Sequence, residues 1–171
     1  MKTFFLIASF FLCFIACKTE NGSQTEFKAI TLDLSGLGIE IDDTTFSVNN
    51  FNFNIYRTVS TNPGSIDEYD SNDGILLAYP DKNLNPSTLE LDLSSVKGLS
   101  KITILMFNNC GQQSCTVVQT LNRKREVLKE LNDNLKVPIG SSEVLIENIN
   151  SSISALKISS FETTVYSIKL E

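Results

Sequence analysis

Apolar and polar residues alternate along most of this chain with a period of two, the spacing at which successive side chains of a strand point to opposite faces of a sheet. "ITLDL" sets Ile30, Leu32 and Leu34 on one face and Thr31 and Asp33 on the other. "TLELDLSS" repeats this with Leu89, Leu91 and Leu93. In "FSVNNFNFNIY", Phe46 and Val48 share one parity while Phe51, Phe53 and Ile55 share the other. The switch at Asn49 and Asn50 predicts a bulge or turn between two strand segments, with Asn52 and Asn54 on an outward face.

"GILLAY", "KITILMFNN", "CTVVQTL", "SEVLIENI", "SALKIS" and "TTVYSIKLE" are further candidate strands. Gly-, Pro-, Asn- and Asp-rich pieces such as "TNPGS", "DSNDG" and "PDKNLNPS" separate many of them. Short strands at this spacing, rich in Ile, Val, Thr and aromatics, predict an all-β fold: an antiparallel β-sandwich occupying residues 27–171 as one domain. One segment dissents. In "NRKREVLKELNDNLK" the residues Val127, Leu128, Leu131 and Leu135 fall at helical spacing, but the same stretch reads equally as a charged hairpin with "EVLKEL" as its first strand and "NDN" as its turn. The fold therefore contains at most one short helix.

The opening is different in kind. "FFLIASFFLCFIA", Phe4 to Ala16, follows Lys2 and would span only about 20 Å as a helix, against roughly 30 Å of bilayer hydrocarbon. A short basic start, a brief apolar run and a small final residue are the parts of a secretory signal peptide, here residues 1–16. The stretch "FIAC" resembles the lipobox of bacterial lipoproteins, in the looser form of Bacteroidetes-type bacteria, with Ala16 before the cut and Cys17 as the first mature residue. The resemblance implies acylation of Cys17, a polar tether over residues 17–26 ("CKTENGSQTE"), and a membrane-anchored protein of the cell envelope. It implies an exported lipoprotein, expected at the outer membrane and facing periplasm or cell surface; the alternative is ordinary cleavage into the periplasm without a lipid.

Charge narrows the partners. The formal net charge is −6, and removal of Lys2 with the leader makes it more negative, so nucleic acid is excluded as a partner for want of a basic footprint. The two cysteines of "NNCGQQSC", Cys110 and Cys115, lie close together around a flexible Gly111 and are expected to form a disulfide at a hairpin tip in an oxidising compartment. A redox pair would normally use two intervening residues and a helix N-terminus.

Histidine is absent, which removes Ser-His-Asp and Cys-His nucleophilic systems and histidine-based metal sites. "SSVK", Ser94 to Lys97, has the spacing of a penicillin-binding serine and lysine, but the partner elements that chemistry needs are missing. No catalytic residue is assigned, and no enzyme is expected. A carboxylate-based glycoside hydrolase, drawing on the acids of "IDEYDSNDG", is the enzymatic alternative. In that same stretch Asp67, Asp70 and Asp73 offer oxygen ligands of the kind calcium takes and form the candidate metal site; the alternative is a plain solvated loop. No other cofactor is implied. For a sugar ligand, the aromatics and amides Asn52, Asn54, Tyr56 and Tyr79 are the candidate contacts, although the chain contains no tryptophan to serve as a stacking platform.

The order of "DGILLAY", "STLELDLSSVKGLSKITILMFNNCG" and "SALKISSFETTVYSIKLE" is similar to that of galactose-binding-like jelly rolls, in which a last strand returns beside the first. That resemblance implies a jelly-roll-like sandwich and, with the anchor, a non-catalytic binding or accessory module for a glycan or an envelope protein. A structural subunit of a surface assembly is the rival expectation.

Overall fold

Burial follows the alternation. Leu32 and Leu34, Phe53 and Ile55, and Leu89, Leu91 and Leu93 are all buried, while Asn52, Asn54 and Asp92 between them are exposed. The computed structural model describes residues 27–37, 45–57, 74–78, 86–108, 116–132, 140–149 and 152–171. Cys17, Asp67, Asp70, Asp73, Tyr79, Cys110 and Cys115 lie outside the described residues, as do the leader and the tether.

Among the described residues there are eleven strands and no helix: β1 (Ile30–Asp33), β2 (Thr45–Val48), β3 (Phe51–Arg57), β4 (Ile75–Ala78), β5 (Ser87–Asp92), β6 (Lys101–Asn108), β7 (Thr116–Asn122), β8 (Val127–Asn132), β9 (Gly140–Glu147), β10 (Ile153–Ser160) and β11 (Glu162–Leu170). They form two antiparallel sheets. One has the order β1-β11-β6-β9, with β4 pairing the first half of β11 where β1 pairs the second. The other is six-stranded, β2-β3-β5-β10-β7-β8. From β4 onward the chain repeatedly crosses between the sheets, and the last strand, β11, pairs antiparallel with the first. The all-β sandwich expected from the alternation is the observed architecture.

The inward faces meet in one apolar cluster. Ile102, Ile104 and Met106 of β6, with Val165, Ile168 and Leu170 of β11, join Phe53, Leu89, Leu91, Leu156 and Ile158 from the other sheet. At one end this core turns polar. Asn108, Thr116, Ser160 and Thr163, from the ends of four strands in both sheets, are fully buried, and the Thr116 hydroxyl lies 2.9 Å from that of Ser160 and 2.8 Å from that of Thr163. Hydrogen bonding of this kind is what makes buried hydroxyls tolerable.

Two turns explain sequence features. β2 and β3 are joined by Asn49 and Asn50, both with positive φ (50° and 67°), so the parity switch is a two-residue hairpin that pairs Val48 with Phe51 and stacks Phe46 on Phe53 at 4.8 Å. The segment left open between helix and hairpin is a strand, β8, but it is the second strand of its hairpin: it pairs with β7 across a turn at Arg123 and Lys124. Gly74, at φ 144°, enters β4 so close to β11 that a Cβ there would stand 2.5 Å from the Val165 carbonyl oxygen.

Candidate functional site

The outward face of the six-stranded sheet carries an ordered row of polar side chains. Register aligns Asn54 of β3 with Glu90 of β5, Glu90 with Lys157 of β10, Lys157 with Gln119 of β7, and Gln119 with Glu130 of β8. Direct cross-strand neighbours on one face are close enough to interact, and the Gln119 amide donates to the Glu130 carboxylate at 2.7 Å.

Glu90 is the centre of this row. Its side chain is only 8% exposed, unusual for a carboxylate on an outer face, and it accepts three hydrogen bonds. The Tyr56 hydroxyl donates one. The Arg125 guanidinium donates the other two in a fork, with Nη2 at 2.6 Å from Oε2, reaching over β10 from the β7-β8 turn. Burial pushes the Glu90 carboxyl up, but the hydrogen bonds from Arg125 and Tyr56 and the charges of Arg125 and Lys157 outweigh it, so the group is held below the ordinary carboxylate value. The Tyr56 phenol is pushed well above its ordinary value by burial, by its hydrogen bond to Glu90 and by that negative charge. Lys157 Nζ stands 5.8 Å from the centre of the Tyr56 ring, a cation-π distance, and covers one ring face.

The turn that delivers Arg125 is built by Asn122. Its side-chain oxygen accepts from the backbone N–H groups of Lys124 (2.9 Å) and Glu126 (3.0 Å), and its amide donates to the Glu126 carboxylate at 2.7 Å. Arg125 itself has φ 68°, the left-handed region that costs a residue with a Cβ about 1–2 kcal/mol. A glycine or asparagine would be the easier occupant. The ion pair with Glu90 holds an arginine there instead.

Between β3, β5 and this turn lies a cleft of about 310 Å³, lined by Asn54, Glu90, Asp92, Ser94, Arg123 and Arg125, with Ser154 and Ala155 beneath. Ala155 stands opposite Asp92 in the register, and its small side chain leaves the depression where the next outward residue of β10 is the long Lys157. The lining divides into committed and uncommitted groups. Glu90 and Arg125 neutralise each other, and one oxygen of Asp92 accepts the Ser94 N–H at 2.8 Å. Among the described residues, the Asn54 amide, the Arg123 guanidinium and the second Asp92 oxygen have no partner. They can serve a ligand without breaking a native bond.

Of the residues singled out from sequence, Asn54 lines the cleft and Tyr56 belongs to the network beneath it. Asn52 lies further along β3, where it accepts from the Ser47 hydroxyl at 2.8 Å. Glu90, Asp92, Arg123, Arg125 and Lys157 were not singled out. Glu90 and Asp92 have outward parity in "TLELDL", which was signal enough for a polar face but not for a cleft.

No protein-family model matches the chain, and no curated protein sequence does. Solved structures similar to it include isomalto-dextranase of Arthrobacter globiformis (13% identity, TM-score 0.40), of which the chain spans about a third, with 86% of the chain covered against 33% of that enzyme. The K2 cleaved adhesin domain of Lys-gingipain is similar at 12% identity and a TM-score of 0.35, covering 89% of this chain and 95% of that domain. The lectin binding domain of lectinolysin, solved with Lewis b, follows at 11% identity and 0.32, covering 90% and 92%. Scores of this size carry no argument about function, which rests on the residues of the chain itself.

Proposed function

We propose that this chain is a non-catalytic glycan-binding module of the cell envelope, held at the membrane through Cys17 and its tether, and that the cleft between β3, β5 and the β7-β8 turn takes the sugar. The observation that carries this reading is the division of the lining: an amide, a guanidinium and a carboxylate oxygen stand uncommitted around a floor that Glu90 and Arg125 keep neutral and fixed. Sugar hydroxyls donate and accept at once, and such a mixed set of acceptors and donors matches them. A strand-borne site loses little entropy on binding. The three hydrogen bonds that Glu90 accepts from Arg125 and Tyr56 suit it to holding the floor of the cleft.

The test is calorimetric titration of the full chain, in neutral detergent micelles, against a panel of oligosaccharides, repeated with Asn54→Ala and Asp92→Ala. Binding of one sugar class that weakens about tenfold in each variant is expected, the loss of one hydrogen bond to a charged or amide group. A panel without any binding overturns the reading.

A second reading, a structural subunit of a surface assembly, is favoured by the other sheet. Leu105 (37% exposed), Phe107 (39%) and Leu145 (40%) lie on the outward face of β6 and β9 with Thr103, Ser141 and Glu143 opposite them, exposed apolar side chains of the kind that can meet another subunit.

A further inference from the structure

Donors and acceptors on the outer face of the six-stranded sheet are unequally satisfied. Each carboxylate there has a hydrogen-bond donor: Glu90 has Arg125 and Tyr56, Asp92 has the Ser94 N–H, Glu126 has the Asn122 amide, and Glu130 has the Gln119 amide. The cations are not matched in the same way. Of Arg123, Lys124, Arg125 and Lys157, only Arg125 makes an ion pair among the described residues; Lys157 faces the Tyr56 ring. On the other sheet, by contrast, Lys101 and Lys169 both pair with Glu171, at 2.8 and 2.9 Å.

Three consecutive basic residues, Arg123 to Arg125, are also a local exception in a chain whose net charge is −6. They form the turn that walls the cleft, and Arg123 lines it. The backbone of that turn is held by Asn122 rather than by any pairing of Arg123 or Lys124, so their side chains carry no structural task there.

We infer that the glycan taken by this cleft is acidic: a saccharide bearing carboxylate or sulfate groups, whose anionic oxygens meet Arg123, while its hydroxyls meet Asn54 and Asp92. This rests on the reading of the cleft as a glycan site. A neutral sugar would leave the uncommitted cations solvated. An acidic one gives Arg123 a charged partner, and guanidinium is suited to both carboxylate and sulfate through its planar fork.

The test uses the full chain in neutral detergent and matched pairs of ligands: oligogalacturonate against its methyl ester, and sulfated against unsulfated dextran oligosaccharides. The acidic member of at least one pair should bind about tenfold more tightly, the factor that one charge-assisted hydrogen bond supplies, and the preference should shrink as salt is raised. Which pair responds separates carboxylate from sulfate. Arg123→Gln, at a side chain without a hydrogen bond or ion pair among the described residues, should remove most of the preference and leave the melting temperature nearly unchanged, and Lys101→Gln on the other sheet should leave binding unchanged. Equal binding of acidic and neutral members, lost in Asp92→Ala, overturns the charge inference and keeps the glycan site. An acidic preference that survives Arg123→Gln also overturns it. Failure of every ligand, acidic and neutral, overturns the glycan site itself.

Discussion

The two outer faces of the sandwich are made by the same alternation and yet differ in what their side chains do for one another. On the six-stranded sheet, Glu90, Arg125, Tyr56 and Lys157 are bound into one network across β3, β5, β10 and the β7-β8 turn. On the five-stranded sheet, Leu105, Phe107 and Leu145 stand more than a third exposed, and the ion pairs of Lys101 and Lys169 with Glu171 lie at one corner. A face whose polar groups restrain each other is already arranged before a ligand arrives, and what it leaves uncommitted becomes its specificity. Exposed apolar side chains offer area without direction. That is why the proposed glycan site is assigned to the first face.

The sharpest way to break this comparison is to remove its central pair. Arg125→Ala should destabilise the chain by about 2–3 kcal/mol, because the nearly buried Glu90 carboxylate is left without its charged partner. Arg125→Gly loses the same pair but relieves the left-handed backbone, and should recover about 1 kcal/mol of that loss. Urea unfolding of both variants measures the difference, with an unchanged m-value showing that compactness is not altered. If the alanine variant is as stable as the parent, the network does not hold the face and the contrast between the two sheets collapses.

Much of the fold was legible because burial at Leu89, Leu91 and Leu93, or at Phe53 and Ile55, is written as alternation, and because Asn-Asn is suited to a turn with two positive φ angles. The stretch from Asn122 to Asn132 misled for a definite reason. A bulge in the β7-β8 pairing falls between Val127 and Lys129, so Leu128 breaks the alternation, and apolar residues at 127, 128 and 131 imitate a helical stripe. Only Leu131 of the three is buried; Val127 is 50% and Leu128 40% exposed. The network was beyond reach for another reason. Glu90 and Arg125 are separated by 35 positions, and what brings them together is the β5-β10-β7 order together with a turn whose geometry no local propensity favours for arginine. Sheet order is a long-range property that alternation does not encode.

Acid titration sharpens the comparison next. The folded-state Glu90 carboxyl lies below its unfolded value, so the stability it contributes is complete above the unfolded pKa and is lost as pH falls through the lower, folded one. Glu90→Gln keeps the shape and removes the titration. The gap in melting temperature between parent and variant should therefore be widest near neutrality and should close in acid. Asp33, lowered by its hydrogen bonds from Ser35, and Glu171, lowered by those from Lys101 and Lys169, titrate in both proteins and cancel in the difference. A gap that does not change with pH would mean that the carboxylate charge contributes nothing to the polar face.

The smallest effect is expected on the opposite face, and its size decides between the two readings of the protein. Phe107 is 39% exposed on β6 with Ser141 as its cross-strand partner on β9, so Phe107→Ser leaves the core in place and should change stability by about 1 kcal/mol. Its inward neighbour Met106 is fully buried and would behave oppositely, at about 2–5 kcal/mol for Met106→Ala. Under the glycan-binding reading, Phe107→Ser leaves the affinity for sugar unchanged, since the residue lies on the other sheet from the cleft. Under the assembly reading, the same substitution should shift the chain to a smaller species in sedimentation, while at low concentration its melting temperature falls only by the small amount of that stability change. One variant thus weighs the apolar face as an interface without disturbing the polar one.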